Sequence, residues 1–163
     1  MQGRGILQPE HFISTARTLV NSNRARPSQV SLRRATSTAY YAMFHTLAKC
    51  CADSLVGGQG ARRSPEAWNQ VYRALEHGHT KNACVRNEVI SKFPGEIQDF
   101  ANMFVQMQKK RHSADYDPNG KSFKSGVLTD IDAVEVSIQD FCQADVKDRR
   151  AFAAFVLFKL RNN

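Results

Sequence analysis

The run Arg111-His112-Ser113-Ala114-Asp115-Tyr116-Asp117-Pro118 gathers a guanidinium, an imidazole, a phenol and two carboxylates into a few consecutive positions. A guanidinium binds phosphate or carboxylate through paired N–H donors, an imidazole moves protons near neutral pH, and a carboxylate orients either one. Upstream, Ile97, Phe100, Phe104 and Met107 recur at helical spacing. One further turn brings Arg111 onto that inward face, and another brings Asp115. Two readings follow. Arg111 pairs with Asp115 at i,i+4 and closes the end of a bundle, or it faces a cleft and binds an anion.

The stretch Leu32-Arg33-Arg34-Ala35-Thr36-Ser37-Thr38-Ala39-Tyr40-Tyr41-Ala42-Met43-Phe44-His45 is the second unusual one. Ala35, Ala39 and Ala42 allow another helix to approach closely, while Tyr41 and His45 share a face and can present polar tips to a cavity. The plainer alternative for both is burial with satisfied hydrogen bonds.

Lys and Arg outnumber Asp and Glu by 23 to 15, a formal net charge of +8, which favours polyanionic partners and nucleic acid first among them. Basic residues cluster at Arg24 and Arg26, Arg33 and Arg34, Arg62 and Arg63, and Lys109-Lys110-Arg111. Most such clusters are solvated faces. Lys109, Lys110 and Arg111 adjoin the candidate cleft and, with Arg34, are the expected contacts to a phosphate backbone. The chain has no phosphate-cradling glycine loop, no nucleophile elbow and no convincing carboxylate pair. Cys50, Cys51, Cys84 and Cys142 lack the spacing of zinc knuckles or redox motifs and read as buried thiols in a reducing cytoplasm. His77, His79 and Cys84 lack a fourth ligand at recognisable spacing, so the histidines are expected in an exposed loop, with neither metal nor cofactor. Arg73 and His79 stand apart from the long helices, and their spacing is read as chance. No charged leader opens the chain, and no apolar run reaches the roughly 18 residues of a membrane span.

Positioning these groups falls almost entirely to helices. The periodicity predicts an all-α, antiparallel up-and-down bundle of four to six helices in a single domain over residues 1–163, long enough to bury an ordinary core. A first helix runs from Pro9 to the low twenties and stops before Pro27. A second begins near Ser28 and continues past Leu55 to Gly57-Gly58-Gln59-Gly60. A third starts at Ser64-Pro65 and weakens by Gly78. The fourth follows Pro94-Gly95 and ends before Asp117-Pro118-Asn119-Gly120. A fifth buries Val127, Ile131, Val134, Ile138 and Phe141. A sixth carries Phe152, Phe155, Val156 and Phe158, spread so as to touch neighbours on more than one side. The second and fourth, as the longest, form the expected central pair.

The Arg-Arg-Ala-x-Ser-x-Ala-Tyr-Tyr-Ala-x-Phe-His helix at Arg33–His45, with its downstream Arg-x-x-Ala-Asp-Tyr-Asp turn at Arg111–Asp117, resembles the HEPN superfamily, the helical domains named for higher eukaryotes and prokaryotes nucleotide-binding. The likeness follows helix order from about Pro9 to Phe141. It implies a four- to five-helix bundle, usually a homodimer, of a kind found in toxin-antitoxin, abortive-infection and CRISPR-associated systems. Many members are metal-independent RNases that pair an Arg with a His after four to six intervening residues, at a cleft to which both subunits contribute. The Arg neutralises the scissile phosphate and the His serves as base or acid for the ribose 2′-hydroxyl.

Carried over, Arg111 matches the family Arg, and His112 stands at the next position, often Asn or Asp. After four intervening residues the family His position holds Tyr116, and a phenol with a pKa near 10 is a poor general base at neutral pH. His112 projects about 100° away from Arg111. Proton transfer would then fall to Tyr116 beside the cation, or to His45 arriving from the second helix, with Asp115 and His112 in support. The resemblance thus implies an RNA-associated protein, in its enzymatic form a toxin-type or defence ribonuclease with a degenerate Arg/His site. Its other form is a non-catalytic interaction or regulatory module that binds a protein, a nucleotide or nucleic acid. A homodimer, RNA and an antitoxin are the implied partners, and no membrane is.

Overall fold

The computed structural model describes Gly5, residues 7–22 and residues 26–161. Among them the chain forms eight helices and no strand: α1 (Pro9–Asn21), α2 (Gln29–Val56), α3 (Pro65–Ala74), α4 (His77–Cys84), α5 (Asn87–Ile90), α6 (Gly95–Tyr116), α7 (Lys124–Gln143) and α8 (Val146–Leu157). The fold class is the all-α helical bundle that the periodicity predicts. None of the helices among the described residues is long and apolar enough to cross a membrane.

The helix starts follow from local chemistry. Ser28 Oγ accepts the Ser31 amide at 3.1 Å and caps α2, while Ser64 Oγ accepts the Ala67 amide at 3.2 Å and caps α3, with Pro65 in its first turn. Asp145 caps α8 by accepting the Lys147 amide at 2.8 Å. The expected third helix is in fact followed by two more. The backbone turns extended at Leu75 (φ −66°, ψ 124°) and re-enters a helix at His77, so Gly78 lies inside α4. Glycine costs a helix about 1 kcal/mol, but α4 buries Thr80, Ala83 and Cys84 and packs against α8, and tertiary burial outweighs propensity there. His77 and His79 are accordingly half-buried helical residues rather than an exposed loop. The final helix also ends earlier than its apolar tract, at Leu157, leaving Phe158 and Leu160 exposed.

The chain divides into two compact units, with α2, α6 and α7 each contributing to both. The first comprises the described residues up to His45 together with Gln106–Val136. Its core is Ile13, Val20, Tyr40, Met43, Met107, Ile131 and Val134, all nearly or wholly buried. Arg17 of α1 ties to α7 through Asp132, at 2.6 Å, and through Glu135. The second unit comprises Thr46–Val105 and the described residues from Ser137 onward. Its core is aromatic: Phe100 stacks on Phe141 with centroids 4.2 Å apart, and Phe152 meets both edge-on. Each fully buried Phe contributes about 2–3 kcal/mol of transfer free energy, so these rings carry much of that unit's stability. The predicted buried positions of α7, Val127, Ile131, Val134, Ile138 and Phe141, are all buried.

Candidate functional site

The unusual residues meet within the first unit, where the N-terminal half of α2 runs antiparallel to the end of α6. Ascending α2 from Arg33 through Ser37 to Tyr40 and Tyr41 descends α6 from Asp117 through Asp115 to Arg111. Ala35, Ala39 and Ala42 are completely buried on the opposite side of α2, so the helix also packs closely on the side turned away from α6.

Arg111 continues the buried stripe of Ile97, Phe100, Phe104 and Met107, as its spacing requires, and its side chain is only 14% exposed. The guanidinium carbon lies 5.2 Å from the Tyr40 ring centre and 5.9 Å from that of Tyr41, within cation–π range of both. Nη1 donates to Asp115 Oδ2 at 3.3 Å, and Ser37 Oγ donates to Asp115 Oδ1 at 2.5 Å. Asp115 therefore links α6 to α2 while neutralising the cation. Arg111 Nε is buried without a hydrogen-bond partner. The i,i+4 pairing is formed, and Arg111 is turned toward the α2 tyrosines.

Arg33 holds the chain that leaves α6. Its Nη1 donates to the carbonyls of Asp117 at 2.6 Å and Ala114 at 3.4 Å, and its Nη2 donates to the carbonyl of Gly120. A side chain at position 120 would place its Cβ 3.3 Å from Arg33 Nη2 and 3.2 Å from Asp117 Oδ2, so both side chains would have to give way by a few tenths of an ångström. Gln29 completes the attachment: its Nε2 donates to the Ser122 carbonyl and its Oε1 accepts the Ser122 amide, at 2.8 and 2.9 Å. Sequence reasoning places Arg33 in a motif and in a basic pair and misses this role. The one available signal is that Arg33 lies one turn before Ser37 on α2.

The outer side of α6 differs. Lys109, His112 and Tyr116 fall at i, i+3 and i+7 on one face and all are exposed, Tyr116 by 66%. The His112 and Tyr116 rings are 4.9 Å apart at 51°. Arg34 is exposed as well, whereas Lys110 is bound to Asp130 at 2.6 Å. Of the four predicted phosphate contacts, Lys109 and Arg34 present their charge to solvent, Lys110 shares its charge with a carboxylate, and Arg111 is inward. Arg24 lies outside the described residues. His45 stacks on Phe12 of α1, centroids 4.9 Å apart and planes within 16°, with Tyr41 and Phe44 beside it. Burial lowers its pKa below the ordinary 6.5, so the ring is neutral at pH 7.

No group of three His, Cys, Asp or Glu side chains among the described residues is arranged to hold a metal ion. Cys51 and Cys84 are buried, and burial pushes the Cys84 thiol up to about 12. Cys142 is exposed, contrary to the expectation of four buried thiols, because its position on α7 follows buried Phe141 by one residue and turns outward. Arg73 and His79 sit on separate helices. The second unit has its own ionic cluster, which sequence reasoning does not find. Asp53 accepts from Lys49 Nζ at 2.8 Å, Arg63 Nη1 at 3.1 Å and Trp68 Nε1 at 2.8 Å. Arg63 also donates to the Gly57 carbonyl and lies over the Trp68 ring, so the cluster fastens the glycine-rich turn. Gly57 has φ +122°, and a Cβ there would be 2.9 Å from that of Ala61.

Comparison of the chain with family models, with curated proteins and with solved structures returns no match.

Proposed function

We propose that this chain is a HEPN-like, RNA-associated protein that holds single-stranded RNA on the outer side of the last turns of α6. The observation that carries the reading is the exposed His112–Tyr116 ring pair beside the exposed Lys109. An unpaired base stacks on an aromatic face with about 1–3 kcal/mol per base, and a neighbouring lysine takes the phosphate. Arg34 on α2 adds a second exposed cation. Binding rather than cleavage is favoured by the disposition of Arg111, which is packed on two tyrosines and paired with Asp115. The residues Arg111, Asp115 and Ser37 then keep the end of α6 in place beneath the contact face. A homodimer working with an antitoxin-like partner in a toxin-antitoxin or defence setting belongs to the same reading, and sizing of the purified chain tests the dimer.

Titration of labelled single-stranded RNA tests the contact face. Tyr116→Ala is expected to weaken binding about thirtyfold, the middle of the stacking range. Lys109→Ala is expected to reduce the slope of log affinity against log salt by about 0.7, the loss of one phosphate contact. RNA that binds both variants as well as the parent overturns the reading. One observation favours a second reading, metal-independent cleavage: the exposed imidazole of His112 next to Arg111 supplies a proton-transfer group. In that case RNA is cut in the presence of EDTA and Arg111→Ala abolishes the cut; an intact substrate leaves the binding reading alone.

A further inference from the structure

A cavity of about 260 Å³ opens in the first unit between α2, the end of α6 and the start of α7. Its walls carry Arg33, Lys110 and Lys121 against one carboxylate, Asp130, with Ser113 among the hydroxyl groups. Phe123 stands at its edge with 71% of its surface exposed. The balance of charge is positive. Lys110 is neutralised by Asp130, at 2.6 Å, but Lys121 is exposed and Arg33 bonds to three carbonyl oxygens. A guanidinium has five N–H donors, more than the three bonds that Arg33 makes to carbonyls. The start of α7, with no acidic residue in its first turn, adds a wall that tolerates an anion.

A space of 260 Å³ is slightly smaller than the roughly 300–1,000 Å³ of sites that enclose a whole drug-sized ligand. It suits a phosphoryl group and its sugar, with the attached base left outside, where the exposed Phe123 ring offers a stacking surface. The cavity lies beside the contact face. Lys110, Ser113 and Ala114 line it, while Lys109, His112 and Tyr116 occupy a face about 120° away around the same helix, with Lys109 and Ser113 between the two centres. A short strand lying across α6 reaches both.

We infer that this cavity receives the phosphomonoester end of an RNA strand, Lys121 and Arg33 holding the terminal phosphate and Phe123 stacking the last base. The inference rests on the RNA-binding reading and adds an end preference to it. A phosphomonoester carries up to two negative charges where an internal phosphodiester carries one, and a pocket lined by three cations and one carboxylate distinguishes them.

The test compares three labelled RNA hexamers of one sequence, ending in a 5′-phosphate, a 3′-phosphate or hydroxyls only, against the parent, Lys121→Ala, Phe123→Ala and Tyr116→Ala. Lys121 and Phe123 are exposed, so neither substitution disturbs the core. One phosphorylated hexamer is expected to bind the parent at least about tenfold more tightly than the hydroxyl form, the effect of a single charge-assisted hydrogen bond. The preference should vanish in Lys121→Ala and decline in Phe123→Ala, whereas Tyr116→Ala weakens all three hexamers alike. The end that gains identifies the polarity of the strand. Equal binding of all three to the parent overturns the inference and leaves the RNA reading standing; no binding of any hexamer overturns both.

Discussion

Replacing Asp115 by alanine tests whether the α2–α6 junction is held by the ionic link seen there. The carboxylate receives a 2.5 Å bond from Ser37 and a longer 3.3 Å bond from Arg111. It is 31% exposed at the side chain, against 14% for its cationic partner. Fully exposed pairs are worth about 0–1 kcal/mol, and breaking a fully buried pair costs about 3–5 kcal/mol. A link of intermediate burial, with one strong and one stretched bond, lies between them at about 2 kcal/mol. For a chain of this length that lowers the midpoint of thermal unfolding by about 4–8 °C. Asp115→Asn keeps an acceptor for Ser37 and removes the charge, so about 1 kcal/mol should go. Circular dichroism at 222 nm during heating, repeated in urea, reads both variants. A cycle with Arg111→Met separates the ion pair from the Ser37 bond, and a coupling of about 1 kcal/mol is expected. An Asp115→Ala transition coincident with the parent's, or a coupling below about 0.3 kcal/mol, refutes the anchoring role.

Other outcomes follow from other parts of the structure. Arg33→Ala removes three bonds to carbonyls in the last turn of α6 and the segment after it, so amide hydrogen exchange over residues 117–123 should accelerate while α1 is unaffected; unchanged exchange excludes the clamp. Because burial lowers the His45 pKa below 6.5, the unfolded chain binds more protons between the lowered value and 6.5. Stability is therefore full above about pH 6.5 and declines as pH falls below it, and His45→Gln should flatten that part of a urea-midpoint profile. Asp53→Ala frees the indole N–H of Trp68, the single tryptophan, and about 2 kcal/mol of destabilisation should accompany a shift of its fluorescence maximum. In the folded protein a maleimide should label exposed Cys142 first and spare buried Cys51 and Cys84, which peptide mass mapping checks.

Much of this architecture is legible along the chain because helical geometry is local. A repeat of 3.6 residues fixes which side chains share a face, so the burial of Ile97, Phe100, Phe104 and Met107, the inward turn of Arg111 and its pairing with Asp115 all follow from spacing within one helix. The outward grouping of Lys109, His112 and Tyr116 is implicit in the same arithmetic. Local chemistry also sets the starts of α2 and α3, where a serine caps the free amides.

What the chain alone leaves open is register between helices, which is chosen by the collective fit of many side chains and leaves no periodic trace. That register brings Ser37 rather than Arg34 to Asp115, gives Arg33 the carbonyls of Ala114, Asp117 and Gly120, and sets Asp130 against Lys110. Three neighbouring basic residues that look alike in sequence thereby acquire different fates: Lys109 faces solvent, Lys110 is paired and Arg111 is packed on aromatic rings. The helix at His77–Cys84 belongs to the same category, since its local preferences point to a break and only burial of Thr80, Ala83 and Cys84 against a neighbour stabilises it. Sequence thus determined the helices and the faces they present, because those depend on residues three and four positions apart. Tertiary packing decided which cations are paired across helices, because neutralising Lys110 requires a carboxylate that the chain brings from elsewhere.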